Sequence, residues 1–328
     1  MALVFGRSAF PLEALAPLLE GMGVQLLGPA TMRDLLEEWP HNFEVLKHAA
    51  STIHSRRTAA LMKCAVPIDT LRMHAPVPRP GTVYCSGANY KKHVVDLVLA
   101  HQDQKETQGM SPEERRAWGM KLMEERALKG TPFIFIKPQS SVCGPFDPVI
   151  VPHDARKPDW ELELGVIIGR RARRVPMERA LDYVAGYTIV NDLTLREKVF
   201  RKPTDAPELG MDFTISKGAP TFLPMGPWLV PAAFVGDPQK LRITLKLNGE
   251  IKQNEETSDM IFSVARLIEY LSQGVELQPG DVICTGSPAG NGMHFNRFIQ
   301  DGDVLEGTIA DASIDFGTQR NPCVAERV

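Results

Sequence analysis

The 328-residue sequence lacks the features that mark membrane, secreted and nucleic-acid-binding proteins. No uncharged apolar run approaches the roughly 20 residues of a membrane helix, and no basic segment precedes the apolar N-terminal residues, as it does in a signal peptide. The five cysteines are scattered without a Cys-x-x-Cys pair, which is typical of reduced thiols. The net charge of −3 indicates no nucleic-acid partner. We therefore expect a cytoplasmic protein that binds neither membrane nor nucleic acid.

The composition and length predict an α+β protein with two parts. A hydrophobic content of 43% is ample for a core, and the length favours about two domains. The proline-rich residues 76–81 are typical of a boundary, so we predict a small N-terminal domain at 1–76 and a larger domain at 77–328. No Gly-x-Gly-x-x-Gly motif follows a strand, which disfavours a dinucleotide-binding fold.

Residues 159–169 combine two glutamates, Glu161 and Glu163, with an apolar run. The run is β-branched and ends at Gly169, which predicts a buried strand. Because side chains alternate along a strand, Glu161 and Glu163 share one face, and Leu162 and Leu164 share the other. Two buried carboxylates need a compensating cation, and one divalent metal ion would suffice. The alternative is that both glutamates lie on the solvent-exposed face of an edge strand.

A second apolar strand, residues 186–191, is followed directly by Asp192. This strand places a third carboxylate at a strand end. Three carboxylates, with water completing the coordination shell, suit a hard cation such as Mg²⁺ or Mn²⁺, and Ca²⁺ is also compatible. The sequence therefore predicts a metal site formed by Glu161, Glu163 and Asp192.

Residues 82–96 predict a strand followed by a helix that carries a histidine. Gly87 would allow the sharp turn and Asn89 would cap the helix. His93 and Asp96 are three residues apart and therefore share one helical face. A carboxylate beside an imidazole raises its basicity, as a general base requires. The alternative is a surface ion pair.

A second helix is predicted after a polar segment. Ser111 is a typical N-cap, Glu114 completes a capping box, and Gly130 marks the end of the helix. Two interpretations stay open for its apolar residues, which either contact substrate, as part of a lid formed by residues 94–130 that the family resemblance described below implies, or pack the helix onto the protein. These residues are Trp118, Met120, Leu122 and Met123.

Six ordered motifs resemble the fumarylacetoacetate hydrolase family. They are Asp-Trp-Glu-Leu-Glu-Leu (159–164), Gly-Tyr-Thr-Ile-Val-Asn-Asp (186–192), Gly-Pro-Trp (226–228), Asn-Gly-Glu (248–250), Pro-Gly-Asp-Val-Ile (279–283) and Thr-Gly-Ser-Pro-Ala-Gly (285–290). Residues 87–96 are similar to the family motif Gly-x-Asn-Tyr-x-x-His-x-x-Glu, with Asp96 in place of Glu. The resemblance covers residues 77–325 and implies a catalytic domain built as a mixed β-sandwich roll with helices packed outside.

The resemblance also implies roles for further residues. His93 and Asp96 would activate water, and Lys217 would enter the pocket, where an ammonium near the carboxylates can hold an enolate or carboxylate oxygen. Otherwise Lys217 would be a solvated surface lysine, the more usual case. The substrate-binding residues would be Tyr90, Arg196, Thr285, Gly286 and Ser287. Backbone N–H groups of the 285–290 loop and the Thr285 hydroxyl could bind a substrate carboxylate.

The reaction implied by the resemblance is hydrolysis of a C–C bond in an acylpyruvate-like or fumarylacetoacetate-like diketo acid, in the catabolism of aromatic compounds or sugar acids. The same site could decarboxylate an oxaloacetate-like acid, hydrate a 2-oxo-enoate or isomerise a keto–enol pair. The family also implies a homodimer. A non-catalytic, metal-stabilised scaffold is disfavoured, because a structural site needs neither a base nor a lysine.

Overall fold

The computed structural model describes residues 1–56, 62–100, 109–202, 204 and 207–327, without the side chains of residues 56 and 96–100. Its helices are α1 Leu12–Gly21, α2 Met32–Glu37, α3 Trp39–Arg56, α4 Lys91–Ala100, α5 Pro112–Lys129, α6 Phe213–Lys217, α7 Ala232–Val235, α8 Val264–Gly274 and α9 Gly292–Phe295. Its strands are β1 Ala2–Phe5, β2 Ser8–Pro11, β3 Val66–Pro67, β4 Val83–Gly87, β5 Phe133–Lys137, β6 Val142–Cys143, β7 Val149–Val151, β8 Pro158–Asp159, β9 Leu162–Ile168, β10 Val184–Asn191, β11 Thr194–Leu195, β12 Leu223–Pro224, β13 Val230–Pro231, β14 Arg242–Leu247, β15 Glu250–Glu256, β16 Val282–Cys284, β17 Val304–Ala310 and β18 Asp315–Ala325.

A six-stranded sheet in the order β13-β10-β9-β16-β4-β5 lies at the centre. The predicted carboxylate strand is β9, which pairs antiparallel with β10 on one side and with β16 on the other. Every residue of β9 is buried. The alternative of an exposed edge strand for Glu161 and Glu163 is therefore wrong.

A five-stranded sheet, in the order β15-β14-β17-β18-β7, packs against one face of the central sheet. The main hydrophobic core contains Leu162 and Leu164 of β9 together with Ile243 and Ile309 of the second sheet. Gly307 of β17 allows the close approach, because a Cβ there would lie 2.5 Å from Leu162 Cδ1. Two packed sheets with outer helices confirm the predicted α+β roll.

The N-terminal residues cover the opposite face of the central sheet at one end. A second hydrophobic cluster joins Leu36 and Trp39 of the N-terminal helices to Val83, Ile167 and Val282 of the central strands. Strands β1, β2 and β3 form a small separate sheet beside these helices. The domain boundary at residue 76 stays a prediction.

The local signals for the helices after β4 gave mixed results. The capping box of α5 is confirmed, since Ser111 Oγ accepts from the Glu114 N–H and Gly130 is the C-cap. The role predicted for Asn89 is wrong: its amide binds the backbone of Phe262 and Thr285. The positive φ of the turn belongs to Ala88, at 52°, and not to Gly87. In the part of the chain that the structure describes, no helix has the length and apolar character needed to cross a bilayer.

Candidate metal centre

Three buried carboxylates meet at the end of the two central strands. Ligand atoms of Glu161, Glu163 and Asp192 all lie within 4.8 Å of one another. Glu161 precedes β9 and Asp192 follows β10, and the antiparallel register sets these positions side by side. The Asp192 N–H donates to the Glu161 carbonyl oxygen at 2.8 Å, and the Glu161 N–H donates to Asn191 Oδ1 at 2.9 Å. The backbone therefore holds the cluster in place.

Lys217 lies within this cluster, at the end of α6. Its Nζ donates to Glu161 Oε2 at 2.8 Å, to Asp192 Oδ2 at 2.7 Å and to Thr194 Oγ1 at 2.7 Å. The short helix is capped by Asp212, whose carboxylate accepts from the Ile215 N–H. Although burial acts to lower it, the charges of Asp192 and Glu161 raise the pKa of Lys217 above its usual range. The lysine is therefore cationic, and it is not a solvated surface residue.

A second buried lysine, Lys137, reaches the same cluster. Its Nζ donates to Asp192 Oδ1 at 2.8 Å and to the Leu193 carbonyl oxygen at 3.0 Å, and its side chain is fully buried. The sequence analysis assigned it no role. Its position at the end of the apolar strand β5, two residues beyond Phe135 on the same face, was the available signal.

Arg196 pairs with two carboxylates. Its Nε donates to Asp159 Oδ2 at 2.8 Å, and its Nη2 lies 2.5 Å from Glu161 Oε1. Although burial opposes it, Arg196 and Lys217 lower the pKa of Glu161 to about 2. Asp159, which sequence reasoning left without a role, also accepts from the Gly292 N–H at 2.6 Å. Arg196 is thus anchored beside the cluster, and its contact with substrate stays a prediction.

Glu163 differs from the other two carboxylates in having no cation within ion-pair distance among the described residues. Its Oε2 accepts from the Gly286 N–H at 2.7 Å. Burial, followed by the charges of Asp192, Cys284 and Glu161, raises the pKa of Glu163 well above its usual range. A buried carboxylate without a counter-charge, beside two further carboxylates, forms an all-oxygen donor set suited to Mg²⁺ or Mn²⁺. These residues therefore fit a divalent ion.

His93 lies on the first turn of α4, near the cluster. Its side chain is half-buried, and its Nδ1 has no hydrogen-bond partner among the described residues. Its ring centroid lies 5.4 Å from that of His294, a neighbour that the sequence analysis did not identify. Burial lowers the pKa of His93 to about 4, against the opposing charge of Glu161. The imidazole is therefore neutral at pH 7. The side chain of Asp96 lies outside the described residues, so the predicted pair stays a prediction.

The small-residue loop after β16 closes the site from another side. Gly286 has a φ of +96°, and a Cβ there would lie 2.7 Å from Asn89 Cβ, so the loop requires glycine. The Thr285 hydroxyl donates to the Leu164 carbonyl oxygen, and Ser287 Oγ accepts from Gln253. The Tyr90 hydroxyl is buried without a described partner. The structure brings these residues near the cluster, and their substrate contacts stay predictions.

Helices α4 and α5, which carry the predicted lid, pack against each other, and Val95 of α4 and Met123 of α5 are both buried in the main core. Gly119 permits this contact, since a Cβ there would lie 3.3 Å from Val95. Arg126 of α5 donates to the Ala88 carbonyl oxygen at 3.0 Å and lies over the Phe262 ring. Residues 101–108 of the proposed lid lie outside the described part of the chain. Closure over the site stays a prediction.

A two-sheet roll with a buried cluster of carboxylates, lysines and a nearby imidazole is typical of an enzyme that acts on small molecules, and its carboxylates could hold a divalent metal ion. Residues 82–324 match the family described as fumarylacetoacetate (FAA) hydrolase C-terminal. The chain belongs to the fumarylacetoacetate hydrolase family.

Relatives within this family differ in their named activities. Oxaloacetate tautomerase Fahd2a, mitochondrial, of Rattus norvegicus is 32% identical over 263 residues, which cover 79% of this chain and 73% of that protein. A Burkholderia cenocepacia relative, provisionally called a hydrolase, is 49% identical over 162 residues. Those residues cover 49% of this chain and 55% of that protein, so the match spans about half the length of the relative.

Solved structures with the same fold also carry different activities. Maleylpyruvate hydrolase from Sphingobium sp. SYK-6, in complex with manganese(II) ion and pyruvate, has a TM-score of 0.68 at 27% identity and covers 99% of this chain and 96% of its own. The 5-carboxymethyl-2-hydroxymuconate delta-isomerase from Mycobacterium smegmatis has a TM-score of 0.60 at 30% identity and covers 80% and 83%. The family includes hydrolases and isomerases, and the fold does not choose between them.

Proposed function

We propose that the protein is a divalent-metal-dependent hydrolase that cleaves a C–C bond in an acylpyruvate-like or fumarylacetoacetate-like diketo acid. One observation carries the proposal: the neutral imidazole of His93 lies beside a cluster of three carboxylates and two lysines. A neutral imidazole can accept a proton from water. Isomerisation needs no water as a reactant, so a base beside the cluster that can accept a proton from water favours hydrolysis.

Glu161, Glu163 and Asp192 would hold Mg²⁺ or Mn²⁺, with Ca²⁺ as a further candidate. A divalent ion bound there would act as a Lewis acid towards the 2-oxo acid end of the substrate. The crystallised maleylpyruvate hydrolase, with its manganese(II) ion and pyruvate, supports this assignment by analogy.

The side chains of this protein would divide the remaining work. His93, oriented by Asp96, removes a proton from water, whose oxygen bonds to the distal carbonyl carbon. The C–C bond then breaks and its electron pair moves towards the 2-oxo group of the pyruvate portion. Lys217, whose Nζ already contacts four oxygens of the site, stabilises that developing negative charge. Protonation of the carbon completes the release of pyruvate and a carboxylic acid.

A second candidate function is conversion of an oxo acid without hydrolysis. It would be keto–enol isomerisation, decarboxylation of an oxaloacetate-like acid or hydration of a 2-oxo-enoate. The 32% identity to a rat oxaloacetate tautomerase favours this alternative. Lys217 and the three carboxylates would serve both chemistries, whereas only hydrolysis and hydration require His93 to activate water; isomerisation and decarboxylation do not.

A panel of purified substrates distinguishes the two functions. The metal-loaded protein is incubated with acylpyruvates, fumarylacetoacetate and oxaloacetate, and loss of the diketo-enol absorbance is followed together with product analysis. Formation of a carboxylic acid together with pyruvate from an acylpyruvate, or of fumarate and acetoacetate from fumarylacetoacetate, supports the proposal. Tautomerisation or decarboxylation alone, with no acid released from any diketo substrate, would refute it.

A homodimer is also part of the proposal. Strand β5 is an edge strand of the central sheet, and its Phe133 and Ile136 are exposed together with Ile215 of the neighbouring helix α6. An exposed edge strand with apolar side chains favours pairing with a second copy. Sedimentation of wild-type protein and Ile136→Lys, with a shift of the variant towards monomer, tests this. A cytoplasmic location and a role in aromatic or sugar-acid catabolism also stay proposals.

A further inference from the structure

The two lysines of the carboxylate cluster make different contacts. Lys217 donates to Glu161 and to Asp192 Oδ2, on the side where the carboxylates converge. Lys137 contacts only one carboxylate, Asp192, through Oδ1, and its other partner is the Leu193 carbonyl oxygen. Lys217 thus contacts two of the three carboxylates, whereas Lys137 contacts Asp192 alone.

The two contacts of Lys137 constrain Asp192 in two ways. The bond to Oδ1 fixes the rotation of the carboxylate, and the bond to the next residue's carbonyl fixes the chain that carries it. The second oxygen, Oδ2, then lies on the side of Glu161, with which it shares Lys217. Asp192 follows the last residue of β10, and its backbone N–H donates to the Glu161 carbonyl oxygen at 2.8 Å. That bond holds the backbone but does not fix the rotation of the side chain, and Lys137 supplies this restraint.

The position of Lys137 in the fold makes this restraint rigid. Its strand, β5, pairs with β4 in a register that sets Lys137 opposite Val83. Its side chain is 0% exposed, so the ammonium has no access to solvent as an alternative partner. A buried ammonium would be very costly without such partners.

We propose that Lys137 is a positioning residue for the metal centre: it orients Asp192 so that one carboxylate oxygen is available to a divalent cation. The inference rests on the metal centre of the proposed function. Outer contacts of this kind are worth about 10- to 100-fold in metal affinity. The opposite result is physically conceivable, because removing a positive charge near the site would by itself strengthen cation binding. Weaker cation binding after removal of Lys137 would therefore indicate that the lysine orients Asp192, whereas tighter binding would indicate that its positive charge repels the cation.

The test is calorimetric titration with Mn²⁺ of wild-type protein, Lys137→Met and Lys198→Met. Lys198 forms an ion pair with Asp154 at 2.6 Å outside the cluster and serves as the matched control. We expect Lys137→Met to weaken Mn²⁺ binding by about 10- to 100-fold and Lys198→Met to leave it unchanged. Unchanged or tighter binding in Lys137→Met would overturn the inference. Absence of Mn²⁺ binding to the wild type would instead refute the metal centre.

A double-variant cycle adds a readout that general loss of structure would not give. If Lys137 acts through Asp192, Lys137→Met should weaken binding little further in an Asp192→Asn background. Additive losses would contradict the inference. Should Lys137→Met not fold, Lys137→Gln keeps a hydrogen-bond donor of smaller reach without the charge. It should still bind Mn²⁺ more weakly than the wild type, and equal or tighter binding would count against the inference.

Discussion

The carboxylate cluster and the helix that carries His93 are held by different kinds of structure. The ligands lie on or next to β9 and β10, two paired strands in the middle of a sheet, and backbone hydrogen bonds join them directly. His93 lies on α4, whose neighbour α5 is tied to the site through contacts such as Arg126 to Ala88. The proposed metal site is thus built into the fold, whereas the placement of the proposed base depends on a few side-chain contacts.

The largest expected effect is that of removing one of the three proposed metal ligands, which lie on or next to β9 and β10. Glu163→Ala should reduce Mn²⁺ affinity by more than the roughly 100-fold upper range of outer-contact changes and abolish activity, while the protein still folds. Glu161→Ala and Asp192→Ala should behave alike. Calorimetric titration measures this, with Glu250→Ala as a control because that exposed carboxylate pairs with Lys252 outside the cluster. Wild-type affinity in Glu163→Ala would remove this residue from the site.

Substitution of the proposed base, His93, should lower catalysis without lowering metal affinity. His93→Ala should lower the rate of hydrolysis by about 10²- to 10⁴-fold, with Mn²⁺ affinity nearly unchanged. The exposed His153, which pairs with Glu326, provides the control variant His153→Ala. Full hydrolytic activity in His93→Ala would exclude the mechanism, whereas full decarboxylation alone, without hydrolysis of any diketo acid, would favour the second candidate function.

The pH dependence of stability should reveal Glu163. Its pKa is raised in the folded protein, so folding retains a proton that the unfolded chain has lost. Without metal, stability should therefore fall as pH rises from the usual glutamate pKa towards the raised value, by at most about 1.4 kcal/mol per pH unit.

The comparison is cleanest from about pH 6.5 to 8. His93 has a lowered pKa, so it costs stability only below its unfolded value of about 6.5. Urea unfolding of chelator-treated wild type and Glu163→Gln measures the difference. The wild type should lose stability relative to Glu163→Gln as pH rises, and parallel curves would show that Glu163 is ionised in the metal-free protein.

The smallest expected effect is a change in the hydrogen exchange of helices α4 and α5. If residues 94–130 close over the site, hydrogen exchange in this segment should slow when Mn²⁺ and oxalate, a mimic of a bound enolate, are both present, and much less with Mn²⁺ alone. Residues 264–274 of α8 serve as the internal reference. Exchange that does not respond to oxalate, despite proven oxalate binding, would mean that α4 and α5 are fixed packing.

Local signals in the sequence were sufficient to predict that the three carboxylates lie close together. Alternation along β9 placed Glu161 and Glu163 on one face, and the strand ending at Asn191 placed Asp192 near them. The capping box of α5 was equally local. These features depend on residues within a few positions of one another, where the geometry of strands and helix ends is decisive.

Long-range contacts escaped the sequence analysis. Asn89 has the right type and position for a helix cap, yet its amide binds Phe262 and Thr285, 173 and 196 residues away. Lys137 has the sequence context of an exposed strand end, and its burial depends on the pairing of β5 with β4. Arg196 and Asp159 are 37 residues apart and meet because β8 pairs with β11. Such contacts follow from topology, which residue type alone does not specify.

The second hydrophobic cluster, which joins the N-terminal helices to the central sheet, has a consequence for any truncated form of the protein. The region matching the family begins at residue 82, and a protein cut there would keep every proposed ligand. It would also uncover Val83, Ile167 and Val282, which Leu36 and Trp39 now cover. Ile167 lies on the same strand as Glu163, four residues further on. A protein truncated there would therefore expose apolar surface on the sheet face that also carries the proposed ligand Glu163, and we expect it to aggregate.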